Sequence, residues 1–398
     1  MNNFFCPLPW NHLMFKNGDK VQACCETYQD QFDPAETIAK TANDPIMRQL
    51  RLDLLDPDVV PKICWKCETR EKYQPEQSVR KNALQLHDHW TEQRARDETN
   101  SDGSVDNFRL EHLDIRWSNL CNYKCRFCGI QSSNLWLKEN KMIYGDDLAD
   151  HYDPKTGISE YNMDWEDLKT HLPYIRYCKL AGGEPTIMPG TYQLLEELIR
   201  VENKNCWISL ITNGTTIQYG KYNLLELLKH FRGVRIQLSM EGMGDRHAWA
   251  RSGKDDWHLI EKNIEQFQAY TKEFGWKMNF HTGISWMNMY HLGDFILQYP
   301  NTQFIFNMVT QPEEMSIMNF YKSDLQKCIL HYEKLLENSP TPIASMHLSK
   351  VKKALQNAID TTDESIDMEK FKRIHNMLDD NRKQNFALAY PEWSHLYA

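Results

Sequence analysis

The residues best suited to chemistry in this sequence are three cysteines, Cys121, Cys125 and Cys128, which stand within eight consecutive residues. Thiolates grouped this densely bind iron or zinc. A structural zinc site needs four closed ligands, usually from two CxxC pairs, whereas a four-iron four-sulfur cluster held by three thiolates keeps one iron open for a further ligand. The spacing therefore favours an open iron-sulfur cluster, and a chance grouping or half of a zinc site are the alternatives.

Three further segments hold residue types that bind small polar ligands. In chain order these residues are Gly182, Gly183, Glu184, Asn213, Ser239 and Arg251. Glycines let the backbone approach a ligand closely, a carboxylate accepts charge-assisted hydrogen bonds, and an arginine presents a fixed fork to a carboxylate. Taken singly, each of them is also explained as a turn, a cap or a surface group.

Each of these segments lies at or just after the end of a short apolar run that is typical of a strand. The six runs are His112–Trp117, Tyr177–Leu180, Trp207–Thr212, Val234–Met240, Lys277–Ile284 and Gln303–Met308. Helical patterns alternate with them at 165–174, 191–202, 222–231, 257–274 and 291–299. This repetition predicts an α/β fold with a parallel sheet, either a partial (β/α)6 TIM-type barrel with its chemistry at the carboxyl ends of the strands or a doubly wound sheet.

The segments that flank the repeat differ from it in composition. Residues 1–74 are rich in cysteine, and residues 75–110 are typical of a polar helix followed by a linker of Gly, Ser, Asp and Asn. The βα repeat occupies 111–310, and the charged, helical stretch 311–398 carries no residue to which we assign chemistry. We predict four parts with these boundaries.

Composition narrows the class of protein. A chain of 398 residues with 41% hydrophobic residues can bury a large core. The net charge of -9, with no block of five consecutive Lys or Arg, argues against nucleic acid as a partner. No signal-peptide pattern and no apolar stretch of about 18 residues is present, so we expect a cytoplasmic protein without a membrane partner.

Cysteine usage points to metal chemistry rather than to disulfides. The chain has 11 cysteines, an odd and high number for an intracellular protein. Cys178, Cys206 and Cys328 lie in or beside predicted strands and helices, where a buried small residue is the expected reading. The other cysteines are better explained as metal or cluster ligands.

The CxxxCxxC motif, with Phe127 before its last cysteine and placed after the first strand of the repeat, resembles the radical S-adenosylmethionine (SAM) superfamily over about 111–310. In that family the open iron binds the methionine part of SAM, and the reduced cluster cleaves SAM to a 5'-deoxyadenosyl radical that abstracts hydrogen from the substrate. The resemblance implies that Cys121, Cys125 and Cys128 hold the catalytic cluster. It also implies that SAM is bound by Phe127, Gly182, Gly183, Glu184, Asn213, Ser239 and Arg251.

The N-terminal cysteines are similar to the SPASM and twitch modules that hold an auxiliary cluster in many radical SAM enzymes. This resemblance implies a second [4Fe-4S] cluster, closed by Cys6, Cys24, Cys64 and Cys67, with Cys25 as an alternative ligand. Four cysteines would also suit zinc. Such modules usually follow the barrel, whereas this one precedes it, so the ligand set and the docking geometry stay open.

The leading functional hypothesis is a radical SAM enzyme of the iron-sulfur oxidoreductase or transferase type. By analogy with the SPASM and twitch families, its substrate would be a peptide or protein side chain, which it would oxidise, crosslink or epimerise. An electron donor such as flavodoxin or ferredoxin is implied as a partner. The alternatives are radical chemistry on a small metabolite or carbohydrate and, from another class, a non-catalytic iron-sulfur or zinc protein with a redox or interaction role.

Overall fold

The computed structural model describes residues 4–27, 30–73, 78–145, 149–252 and 257–397. Its contacts divide the chain into two compact units. The first comprises Met1–Asn119, Ile158–Leu210 and Gly220–Val234, and the second comprises Leu120–Gly157, Ile211–Tyr219 and Arg235–Ala398. The expected boundary between residues 74 and 75 lies outside the described residues, and the division into four parts stays a prediction.

All six predicted strands are present, with ends within two residues of the expected ones. In the described part of the chain the strands are β1 (His12–Lys16), β2 (Lys20–Gln22), β3 (Gln31–Phe32), β4 (His112–Ile115), β5 (Tyr177–Leu180), β6 (Trp207–Thr212), β7 (Gln218–Tyr219), β8 (Tyr222–Asn223), β9 (Gly233–Ser239), β10 (Lys277–Ile284) and β11 (Gln303–Met308). The predicted class, mixed α/β with a sheet of parallel strands and a helical C-terminal part, is confirmed.

Helices alternate with the strands of the repeat and dominate the C-terminal part. They are α1 (Leu8–Asn11), α2 (Ile38–Thr41), α3 (Pro45–Leu55), α4 (Trp65–Tyr73), α5 (Val79–Leu86), α6 (Glu92–Glu98), α7 (Leu137–Tyr144), α8 (Trp165–His171), α9 (Pro189–Arg200), α10 (Leu224–Leu228), α11 (Gly244–Arg251), α12 (Trp257–Phe274), α13 (Leu292–Gln298), α14 (Lys322–Glu337), α15 (Pro342–Thr361), α16 (Met368–Arg382), α17 (Phe386–Ala389) and α18 (Ser394–Tyr397).

The stretch 75–96 was expected to form one polar helix, and the structure corrects this. Helix α5 ends at Leu86 and α6 begins at Glu92. Between them the amide of Trp90 donates to the carbonyl of His87 in a turn, and both of these side chains are buried. The Thr91 hydroxyl then caps α6. Burial of the two aromatic rings and this cap stabilise the turn, so two helices form in place of one.

In the first unit β4, β5 and β6 pair in parallel, and β1 pairs in parallel with the other side of β4. Strands β2 and β3 continue this ladder in antiparallel pairing. His12 stands opposite His112, and Phe15 stands opposite Ile115. The cysteine-rich N-terminal segment therefore shares a sheet with the first strand of the βα repeat.

The two faces of this sheet differ because side chains alternate along each strand. Leu13, Leu113, Cys178 and Ile208 stand side by side in register, and all four are fully buried. One register position later, on the opposite face, the Lys179 ammonium donates to the Asp114 carboxylate at 2.8 Å. One face thus supplies the apolar core, and the other holds charged groups.

In the second unit β9, β10 and β11 pair in parallel. Leu238, Phe280 and Phe304 stand in register on the buried face. Ser239, the last residue of β9, stands opposite His281 on the other face. The repeat therefore keeps its polar side chains on the face away from this core. No helix in the described part of the chain is both long and apolar enough to span a membrane.

Candidate active site

Main-chain hydrogen bonds hold the loop that contains Cys121, Cys125 and Cys128. The indole of Trp136 donates to the carbonyl of Cys125 at 3.0 Å, and the amide of Cys128 donates to the same carbonyl at 3.0 Å. The amide of Tyr123 points at the Cys121 sulfur, 3.4 Å away. Cys125 is buried and the other two cysteines are half-buried. The loop thus presents three thiols from an ordered backbone.

A buried ion pair lies against the middle cysteine. The Arg251 guanidinium donates two hydrogen bonds to Glu241, at 2.5 and 2.7 Å, and its third nitrogen lies 3.6 Å from the Cys125 sulfur. A hydrogen bond from the Cys128 thiol lowers the pKa of Cys125, burial opposes this, and the Arg251 charge lowers it further. The same bond and burial raise the pKa of Cys128. The site therefore favours a negative charge on the Cys125 sulfur.

Asn213, predicted at the end of the third strand of the repeat, is tied to the cysteine loop. Its amide donates to the side-chain oxygen of Asn122 at 2.7 Å, and Asn122 donates to the Thr215 hydroxyl at 2.8 Å. The Asn213 oxygen accepts from the amide and the hydroxyl of Thr215. Asn213 is buried, so in the second unit it fixes this turn against the cysteine loop.

Arg126, between the second and third cysteines, anchors the loop in a way that the sequence analysis missed. It is fully buried, with its guanidinium 3.6 Å from the centre of the Trp249 ring. It pairs with Asp379 and donates to the side chain of Gln384 at 2.9 Å. The Trp249 indole also donates to Asp379, at 2.8 Å. Burial lowers the pKa of Arg126 to about 9, so the group stays charged at neutral pH.

Asp379 lies in helix α16. A further buried ion pair, between Glu139 and Arg382, joins α16 to α7. Glu139 is fully buried and accepts from Arg382 at 2.5 Å, from Lys124 at 2.7 Å and from Asn381 at 2.8 Å. Cys128 packs nearby against an apolar cluster shared by the loop region and α16, whose buried members are Ile130, Trp136, Ile374 and Leu378. The C-terminal part, to which no chemistry was assigned, therefore supports the cysteine loop.

The glycine-rich segment lies in the first unit, at the end of β5. Gly182 has a positive φ of 79°, and a Cβ added there would lie 2.6 Å from the Cβ of Arg116. Glu184 is buried, and its carboxylate accepts from the amide and the hydroxyl of Thr186 at 3.1 and 2.7 Å. Gly183 also has a positive φ. The turn is thus built by glycine backbone conformations and fixes the orientation of one carboxylate.

The two remaining predicted SAM contacts are Phe127 and Ser239. Phe127 is half-buried within the cysteine loop, and Ser239 is half-buried at the end of β9. Their roles, like those of Gly182, Gly183, Glu184, Asn213 and Arg251, stay predictions.

The N-terminal cysteines form a group within the first unit. The pKa of Cys24 is raised well above its usual value by burial and by neighbouring Cys25, Cys6 and Cys64. Burial raises the pKa of Cys6 to about 12, with Cys67 as a further contributor. The pKa of Cys64 is raised by burial and then by Cys6 and Cys67. The four predicted ligands are thus electrostatic neighbours, as a shared site would require.

Backbone amides point at these sulfurs. Leu8 donates to Cys6, Glu26 donates to Cys24, and the amides of Arg80 and Val79 donate to Cys67. Such donors stabilise thiolates, the form that binds metals. Cys25 interacts with Cys24 and also with the Lys179 ammonium on the polar face of the sheet.

Both cysteine groups fit the clusters that the resemblance implies. In the loop, three ordered thiols with an adjacent guanidinium suit a negatively charged cluster with one open iron. In the N-terminal group, two buried and two half-buried thiols, three of them with amide donors, suit a closed cluster or a zinc ion.

Comparison with known proteins gives three findings. The family model of the Radical SAM superfamily matches residues 115–292. The "Sporulation killing factor maturation protein SkfB" of Bacillus subtilis (strain 168) is 24% identical over 225 residues, which cover 52% of this chain and 47% of that protein. The "Probable GTP 3',8-cyclase" of Sulfurisphaera tokodaii is 26% identical over 175 residues, which cover 39% of this chain and 50% of that protein. The chain thus spans about half the length of the curated relatives it matches.

Among solved structures, one described as "Native anSMEcpe with bound AdoMet" is 20% identical, with a TM-score of 0.37, and the match covers 56% of this chain and 60% of that one. The family match contains the three cysteines of the loop, the glycine-rich segment, Asn213, Ser239 and Arg251. Residues 115–292 of this chain thus match the Radical SAM superfamily, whose members use SAM and a [4Fe-4S] cluster.

Proposed function

We propose that the protein is a radical SAM enzyme that abstracts hydrogen from a peptide or protein side chain. The observation that carries the catalytic part is the contact of the Arg251 guanidinium, itself held by Glu241, with the sulfur of Cys125 in the three-cysteine loop. The guanidinium at this distance favours the thiolate form of Cys125, which is the form that binds metals.

Cys121, Cys125 and Cys128 would hold the cluster. When bound, the cluster supplies the electron that cleaves SAM to a 5'-deoxyadenosyl radical. Arg251 offsets the negative charge of the thiolates, and Glu241 fixes the plane of its guanidinium through two hydrogen bonds. The buried ion pair of Arg126 with Asp379 anchors the same loop. Glu184 offers a buried, oriented carboxylate that suits the ammonium of SAM.

For the N-terminal module we propose a second, closed [4Fe-4S] cluster on Cys6, Cys24, Cys64 and Cys67. The amide donors to three of these sulfurs and their mutual electrostatic contacts support it. Cys24 is preferred to Cys25 as the ligand because it interacts with both Cys6 and Cys64, whereas Cys25 also faces Lys179. Two clusters would give about eight iron atoms per chain. With zinc in this module, only the loop cluster would contribute iron, which gives about four iron atoms per chain.

A peptide substrate is supported by the name of one relative, a maturation protein for a sporulation killing factor. The second candidate is a small metabolite, which the name of the other relative, a GTP cyclase, favours. A flavodoxin or ferredoxin would donate the electron in either case.

The test of the catalytic proposal is production of 5'-deoxyadenosine. Protein made anaerobically and reconstituted with iron and sulfide would be mixed with dithionite and SAM. We expect product from the parent and from Cys328→Ala, which loses a buried cysteine that lies outside both groups. We expect none from the triple variant Cys121→Ala, Cys125→Ala, Cys128→Ala.

If the parent makes no 5'-deoxyadenosine and does not bind SAM, the catalytic proposal is wrong. The chain would then be better described as a redox or structural iron-sulfur protein. Substrate class would be tested next, by incubating the active protein with a precursor peptide encoded beside its gene and comparing the peptide mass with that after incubation with the triple variant.

A further inference from the structure

A group of titratable side chains lies at the end of the first-unit sheet from which the strands start, where Glu111 directly precedes β4. One ring nitrogen each of His87 and His89 and one carboxylate oxygen of Glu111 all lie within 4.8 Å of one another. His87 and His89 belong to the turn between α5 and α6. His87 and Glu111 are buried, and the side chain of His89 is 23% exposed, so solvent reaches the group. The group is separate from both sets of cysteines.

Hydrogen bonds orient both histidine rings. Nε2 of His87 shares a hydrogen bond of 3.2 Å with Nδ1 of His112, and Nε2 of His89 lies 2.6 Å from a carboxylate oxygen of Glu111. A hydrogen bond to the second nitrogen of a metal-binding histidine fixes its tautomer and ring orientation, and His112 makes such a bond to His87.

The Nδ1 atom of His87 is buried and has no hydrogen-bond partner among the described residues. Leaving such a buried polar atom without a partner destabilises the folded protein. Since Nε2 is shared with His112, Nδ1 is the nitrogen that is open to a further partner. If Nε2 donates its proton to His112, Nδ1 carries a free lone pair. That lone pair can bind a metal cation.

Charge also favours a cation here. Glu111 and Asp88 supply two carboxylates, and Arg176, whose Nε lies 3.7 Å from Glu111, supplies one guanidinium. The group therefore combines two imidazoles, one carboxylate and a net negative charge.

We propose that His87, His89 and Glu111 bind a zinc ion that ties the turn between α5 and α6 to the start of β4. Two histidines and one glutamate are a ligand set that zinc uses, with a water in the fourth position. Glu111 also holds the start of β5, because its carbonyl accepts from the amides of Arg176 and Tyr177 at 2.7 and 3.0 Å. The ion would join two segments that are distant in sequence, the turn between α5 and α6 and the start of β4.

The test uses the reconstituted protein with its clusters in place, loaded with zinc and desalted. We expect one zinc per chain by mass spectrometry in the parent and in His258→Gln, a control at an 86% exposed histidine. We expect His89→Gln and Glu111→Gln to bind zinc at least about tenfold more weakly, since each loses a ligand. Iron and sulfide content, measured in the same samples, should not change.

X-ray absorption at the zinc edge of the parent decides the ligand type without any variant. The proposal requires nitrogen and oxygen neighbours at about 2.0–2.1 Å. Sulfur neighbours at about 2.3 Å would place the zinc on the N-terminal cysteines and overturn the proposal. Failure of the parent to bind zinc, or equal zinc in the parent and the two ligand variants, would overturn it as well. None of these results bears on the production of 5'-deoxyadenosine.

Discussion

Arg126 in the cysteine loop forms a buried ion pair with Asp379 in α16, 253 residues further along the chain. Asp379 also accepts from the Trp249 indole and from the amide of Phe386. One carboxylate thus joins the loop to α11, which carries Arg251 at its end, and to the C-terminal helices. We infer that the C-terminal part is needed to present the cluster ligands.

Replacing Asp379 with Ala should therefore lower the stability of the folded protein. The variant leaves the Arg126 guanidinium buried without its counter-charge, and breaking such a pair from one side costs about 3–5 kcal/mol in the free energy of unfolding. Denaturant titration of the cluster-free protein would measure this cost. The exposed neighbour Asp380→Ala is the matched control, with an expected change within about 0.5 kcal/mol. Equal stability of the two variants would contradict the role of the pair.

Glu241 is predicted to act as a positioning residue for Arg251. Glu241→Gln keeps the shape but removes the charge that holds the guanidinium through two hydrogen bonds. We expect the rate of 5'-deoxyadenosine formation, normalised to bound iron, to fall by about 10- to 100-fold, because a misdirected charge in a buried site raises the barrier by about 1.4–2.7 kcal/mol. Glu241→Asp should recover part of the rate.

The exposed substitution Glu313→Gln provides the control for Glu241→Gln and should leave the rate unchanged. A Glu241→Gln protein with normal iron content and normal rate would show that the ion pair does not serve SAM cleavage. Lost iron with a normal rate per cluster would assign Glu241 to loading of the cluster instead.

Much of the repeat was predictable because its signals are local. Strand 207–212 alternates buried and half-buried residues, and GGEP and TNG follow strands directly, so periodicity and turn residues sufficed. The partners of Arg126 were not predictable, because nothing near Asp379 marks it as the counter-charge of a residue 253 positions earlier. Pairing of β1 with β4 was missed for the same reason, since register between distant strands has no local signature.

Gly182 should be sensitive to its missing side chain. In Gly182→Ala the new Cβ would lie 2.6 Å from the Arg116 Cβ, at a φ of 79°. Gly220 has a φ of 54° and open space around the same position, so Gly220→Ala measures the cost of the backbone conformation alone. We expect both variants to lose stability and Gly182→Ala to lose about 1–3 kcal/mol more, from overpacking. Thermal unfolding of both would test this, and equal losses would contradict the close approach.

The stability of the protein should fall between pH 6.5 and pH 4 in part through His347, whose ring accepts from the amide of Phe304 at 3.2 Å. Burial lowers the pKa of His347 from 6.5 to about 4. The unfolded chain therefore binds a proton in this range before the folded protein does, so the contribution of His347 is fully present above pH 6.5 and is lost as the pH falls toward 4.

The variant His347→Gln can still accept a hydrogen bond from the amide of Phe304, but its side chain cannot titrate. We expect the loss of unfolding free energy between pH 7 and pH 5 to be smaller in this variant by about 1–2 kcal/mol, whereas His258→Gln, at an exposed histidine, should retain the loss of the parent. Parallel pH profiles for the parent and His347→Gln would mean that other groups govern the acid sensitivity.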